Sequence, residues 1–129
     1  MQNRDIYISA LSHIGELHDE ENADYMERAP YLLAAFCTEC ADTDAEYRKL
    51  HSLPSRTKTD AVYIPLDTDF PCADRFAIAA AVYIAAMLVI DENMELSDKL
   101  FDRYCDIMST IQSELPSTVE KIVNRYGAF

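Results

Sequence analysis

Residues 76–90 read FAIAAAVYIAAMLVI, and every one of them is apolar or a tyrosine. At 3.6 residues per turn such a run has no polar face, so as a helix it must be covered on all sides. Crossing a bilayer takes about 20 consecutive apolar residues. This run has 15, with Asp74 and Arg75 before it and Asp91 and Glu92 after it, so a membrane span is rejected. The reading that is left is a central pillar, at 74–91, of a small helical domain.

The whole chain fits one such domain. Its 129 residues are enough for a single core. Half of the residues are hydrophobic and 26% charged, the proportions of an ordinary globular protein. With only 2 glycines and 5 prolines, a sandwich of many short strands and tight turns is disfavoured. The expected fold is therefore all-α, about five helices in a single domain over residues 1–129.

Charge narrows the function classes. Against 23 Asp and Glu there are 11 Lys and Arg, a net charge of −12. Phosphate recognition needs clustered cations, so specific binding of nucleic acid is disfavoured, and so is docking on anionic membrane. An acidic surface favours solubility and a basic or tolerant partner. The first residues, MQNRDIYISALSHIG, have no basic stretch followed by an apolar core, and thus do not read as a secretory signal. Cys37, Cys40, Cys72 and Cys105 are then expected to be reduced thiols in a cytoplasmic setting.

Outward from the pillar, periodicity sets the other elements. Tyr7, Ala10, Leu11 and Ile14 form a stripe on a first helix, with Asn3 as its expected cap and Gly15 as its stop. A second helix carries Tyr25, Ala29, Leu32, Leu33, Phe36 and Cys40, begins again or bends at Pro30, and extends to about Leu50 with a weak point near Asp42–Asp44. From Ser52 to Cys72 the helical period is lost. Val62, Tyr63 and Ile64 favour an extended chain, and Pro65 restricts it to an edge strand, a hairpin or an extended arm. A fourth helix, 98–114, is expected behind Ser97 as cap, with Leu100, Phe101, Tyr104, Ile107, Met108 and Ile111 inward. After Pro116, Ser117 and Glu120 form a capping box for a short last helix.

The motifs that carry chemistry are sparse. Cys37-Thr38-Glu39-Cys40 is a C-x-x-C, the spacing of a zinc half-site or a redox pair. It stands alone, Cys40 lies on the apolar stripe, and buried thiols on helices are common. Asp91–Glu95 begins like a calcium loop, but Leu96 stands where the glycine should be and Asp102 where the glutamate should be. His13, His18 and His51 have no ligand spacing, no glycine-rich phosphate loop exists, and no G-x-S-x-G is present. No catalytic residue and no cofactor is expected, and the chain is read as a non-enzyme.

One resemblance gives a sharper expectation. Phe70-Pro71, Asp74-Arg75-Phe76, the alanine-rich 80–90, the acidic turn 91–95 and the helix 100–108 together resemble the small helical neck proteins of tailed phages and prophages, the head–tail connector (adaptor) family. Tyr25–Pro30 looks like that family's early helix. The resemblance implies a homo-oligomeric ring between portal and tail-completion proteins, with genome DNA passing through without specific binding and no membrane involved. It implies a bacterial host cytoplasm during assembly and the virion afterwards, and it carries over no enzymatic residues. A ring subunit needs an element that reaches a neighbour, for which Val62, Tyr63, Ile64, Leu66 and Phe70 are the candidate interface residues. A regulatory or scaffolding adaptor for a basic protein partner is the rival reading. A small zinc or redox protein using Cys37 and Cys40 is a third.

Overall fold

The computed structural model describes residues 1–16, 22–56 and 61–116, and within them the chain is all-α. The helices are α1 (Asn3–His13), α2 (Ala23–Glu39), α3 (Ala41–Leu50), α4 (Ala77–Leu88) and α5 (Met94–Ser113). A 3-10 turn, Asp74–Phe76, leads into α4. Helices α1, α2 and α5 each pack on α4, which is the pillar the sequence predicts. Among the described residues there is no strand, only an isolated antiparallel bridge between Gln2 and Asp69. Among the described residues of 52–72 no strands pair as a hairpin; 61–73 is an arm that bonds to Met1, α1 and α2 and makes one turn of its own, where Thr68 N–H donates to Pro65 O at 3.4 Å. No described helix is long and apolar enough to cross a membrane.

Alanine is what makes α4 a pillar. Ala79, Ala80, Ala81, Ala85 and Ala86 are all buried, and their small side chains let three helices approach one axis. The remaining space is filled by Leu11, Leu33, Phe36, Ile84, Leu88 and Ile111, all fully buried. Each such side chain contributes about 1.5–3 kcal/mol by leaving water. Phe36 sits at the centre of an aromatic group, with ring centroids 6.5 Å from Phe70, 6.0 Å from Tyr83 and 6.2 Å from Tyr104. Burial of the run 76–90 fails at Ile78, in the first turn of α4 and 59% exposed, and at Ile90, just past its end and 41% exposed.

The helix ends differ from the expectations in instructive ways. Asn3 is inside α1 and buried, not its cap. Its side-chain amide donates to Pro65 O and Thr68 Oγ1, both at 3.0 Å. The first N–H groups of α1 have no partner within their own helix. The arm supplies them: Asn3 N–H donates to Thr68 O at 3.0 Å and Arg4 N–H to Leu66 O at 2.9 Å. At the other end Gly15 takes φ +75°, and Glu16 N–H returns to Leu11 O at 2.9 Å, the left-handed closure expected of a glycine there.

The long second helix divides at Cys40, two residues before the predicted weak point, and runs unbroken through Pro30. That division brings the described helices to five. The predicted last helix, 117–126, lies outside the described residues. Helix α5 starts four residues earlier than the sequence suggests. Asn93, not Ser97, is its cap, its Oδ1 accepting Leu96 N–H at 3.1 Å. Ser97 is buried and donates to Ala86 O at 2.8 Å, fastening α5 to the pillar. The pillar's own C-terminus is capped from outside by Arg28, which donates to Met87 O at 3.1 Å and Leu88 O at 3.4 Å. A cation at a helix C-terminus also opposes the negative end of the dipole.

Candidate functional site

Two arrangements draw on the residues singled out in the sequence. The first is the arm, 61–73. It is hooked to α2 by Ile64 N–H donating to Pro30 O at 3.2 Å, and to the chain start by Phe70 N–H donating to Met1 O at 2.9 Å. Extended chain alternates its side chains. Ile64 and Leu66 therefore turn inward with Phe70, while Tyr63 and Pro65 turn out. Of the five candidate interface residues, Ile64, Leu66 and Phe70 are packed in the chain's own core, where they close the gap between α1 and α2. Val62 and Tyr63 are presented to solvent, Val62 at 77% exposure and Tyr63 at 48%. Tyr63 packs edge-on against Tyr31 of α2, ring centroids 5.0 Å apart. Beside them lies a groove of about 320 Å³ lined by Tyr31, Ala34, Ala35, Thr38, Ala61 and Val62.

The second arrangement is buried, where the α2–α3 junction meets the approach to the pillar. Cys72 Sγ lies 3.1 Å from Cys40 Sγ and 3.7 Å from Cys37 Sγ. The Arg56 guanidinium donates to Cys72 Sγ at 3.1 Å and to Cys37 O at 3.4 Å. It also lies 3.7 Å from the carboxylate of Asp44, a residue only 1% exposed. Asp44 accepts the Arg48 Nε–H at 3.0 Å and the Ala73 N–H at 2.8 Å. The other nitrogens of Arg48 donate to Pro54 O at 2.8 Å and Pro71 O at 3.0 Å. The planar guanidinium fork thus ties α3 to both ends of the connection.

The three buried sulfurs titrate as one hydrogen-bonded group. Hydrogen bonds from the Cys37 and Cys40 thiols, aided by the Arg56 charge, hold the Cys72 thiol well below the usual range despite its burial. Donating to Cys72, together with burial, pushes Cys37 and Cys40 upward, so both keep their protons. Cys105 is exposed and apart from this group.

Sulfurs on a tetrahedral zinc stand about 3.8 Å apart, given Zn–S near 2.3 Å; the Cys37–Cys72 pair, at 3.7 Å, has that separation, and the Cys40–Cys72 pair, at 3.1 Å, is tighter. Among the described residues no group of three or more His, Cys, Asp or Glu is arranged to hold a metal. The sequence marks the C-x-x-C at 37–40 and does not mark Cys72 as its neighbour. Nor does it mark Asp44, Arg48 or Arg56. The one signal available was Arg48 four residues after Asp44, an ion-pair spacing on a helix. Nothing local foretells that Cys72 returns to Cys40 from 32 residues away.

Comparison with models of protein families, with curated proteins and with solved structures gives no match to this chain.

Proposed function

We propose that the chain is a non-enzymatic virion assembly protein, a head–tail connector subunit that forms a ring between portal and tail in a tailed phage or prophage. The observation that carries the reading is the exposure of Val62 and Tyr63 on an arm whose neighbours Ile64 and Leu66 are anchored in the core. A strongly exposed valine beside a half-exposed tyrosine that packs on Tyr31, rimmed by the Tyr31 groove, suits a subunit contact. The resemblance of the elements within 70–108 to the neck proteins points the same way. So does the acidic balance, since a passage for DNA works better if its wall does not hold phosphate.

Light scattering and native mass spectrometry of the purified chain, alone and with the portal protein of the same genome, test this. A closed oligomer of fixed stoichiometry is expected in at least one of the two preparations. The double substitution Val62→Asp with Tyr63→Asp should weaken that assembly by at least about tenfold, the effect of 1.4 kcal/mol, while leaving the helical content unchanged. Failure to oligomerise in both preparations, or full assembly by the double variant, would count against the connector reading.

A further inference from the structure

We propose that Cys40 and Cys72 are an oxidisable pair, in which Cys72 reacts with hydrogen peroxide and then closes to a disulfide with Cys40. The inference stands on the sulfur geometry and is independent of the assembly function. Two sulfurs at 3.1 Å are already nearer than two non-bonded sulfurs prefer, and a disulfide needs only about 1 Å more of approach. Cys37 Sγ, at 3.7 Å from Cys72 and in hydrogen-bond contact with it, is the more distant partner. Arg56 supplies what a reactive thiolate needs, a cation in direct contact at 3.1 Å. Cys105 has no sulfur beside it among the described residues.

The chemistry balances in two steps. The Cys72 thiolate attacks one oxygen of the peroxide, the O–O bond breaks, and hydroxide departs beside the Arg56 guanidinium and takes a proton from solvent. Cys72 is then a sulfenic acid. The Cys40 sulfur attacks the Cys72 sulfur, the S–S bond forms, and the displaced hydroxide leaves as water with the Cys40 proton. Two thiols are oxidised by two electrons and one peroxide is reduced to two waters. Arg56 lies directly against the Cys72 sulfur, and the chain just before it is held to α3 by Leu53 N–H on Arg48 O at 2.8 Å and by Arg48 on Pro54 O. The product staples the α2–α3 junction to the last residues before the pillar.

Peptide mapping under non-reducing conditions tests the proposal on the folded full-length chain after brief hydrogen peroxide treatment and alkylation. The expected result is one intramolecular Cys40–Cys72 crosslink with loss of two hydrogens, reversed by dithiothreitol, and formed equally in Cys105→Ser. In Cys40→Ser the reaction should stop at a sulfenic acid on Cys72, trapped by dimedone; if that variant does not fold, the wild-type map decides alone. The proposal is overturned if Cys40 and Cys72 both remain alkylatable after peroxide. It is overturned equally if the only disulfide joins Cys105 between chains, or if the freshly purified protein holds one equivalent of zinc with its buried thiols protected.

Discussion

The carboxylate of Asp44 accepts the backbone N–H of Ala73 at 2.8 Å, joining the first turns of α3 to the residue that precedes the pillar's 3-10 turn. The same carboxylate holds Arg48 at 3.0 Å and lies 3.7 Å from Arg56, so one buried side chain sets the relation of α3, the connection and α4. Removing one partner of a buried ion pair leaves the others desolvated and uncompensated, at about 3–5 kcal/mol. Asp44→Ala should lower the stability of the protein by that amount in urea unfolding. The exposed pair Lys99–Glu95, at 3.4 Å, makes the contrast, and Glu95→Ala should change stability by less than about 0.5 kcal/mol.

Ser52 closes α3 with φ +54°, while Leu53 N–H returns to Arg48 O at 2.8 Å. This is the closure that Gly15 provides for α1, made here with a residue that has a Cβ. The left-handed conformation costs a non-glycine residue about 1–2 kcal/mol, and glycine's extra freedom in the unfolded chain returns part of that. Ser52→Gly is therefore expected to raise stability by about 0.5–1 kcal/mol, read as a higher midpoint in thermal unfolding.

Along α4, the response to substitution should alternate sharply. Ala80 is fully buried between neighbouring helices, and Ala80→Leu forces three methyl-sized groups into filled space, at about 1–3 kcal/mol or more. Two residues earlier, Ile78 faces water, and Ile78→Ser should fall within about 0.5 kcal/mol of the wild type. Circular dichroism melts of the two variants would show the difference directly.

Alkaline pH should unfold the protein through its phenols. Tyr25 is pushed up to about 12 by burial and by its hydrogen bond to Glu92. Tyr104 is raised by burial and by Glu39, which accepts its hydroxyl at 3.3 Å, and Tyr83 is raised by burial. A group whose proton is held more tightly in the folded state contributes fully below its unfolded value and loses that contribution as pH rises through the folded one. For Tyr25 the loss runs from about pH 10, the unfolded value, to about 12. Cys37 and Cys40, also held protonated, begin the decline near pH 8.5, the ordinary thiol value. Urea midpoints measured from pH 8 upward should fall steadily, with Tyr25→Phe showing a shallower fall above about pH 10.

The pillar, its all-α surroundings and the glycine stop of α1 were legible because each rests on a local pattern: an unbroken apolar run, a 3.6-residue period, a residue that tolerates positive φ. What was not legible depends on distant partners. Asn3 has the right chemistry for a cap, yet the arm at 65–69 captures its side chain. Ser97 likewise has cap chemistry and spends its hydroxyl on Ala86 of another helix. Val62 and Ile64 are equally good extended-chain residues. Only the hook to Pro30 decides that one is in water and the other in the core. The thiol cluster is the clearest case, since its four contributors, residues 37, 40, 56 and 72, share no local period.

Because α1 packs on α4, its partner surface lies some seventy residues further along the chain. At about 5–20 residues per second of synthesis, α1 leaves the ribosome roughly 4–15 seconds before the helix that will cover it. During that interval Ile6, Tyr7 and Leu11 face solvent or a chaperone, and so does the apolar face of α2. Each new molecule is thus a waiting chain until residue 88 emerges.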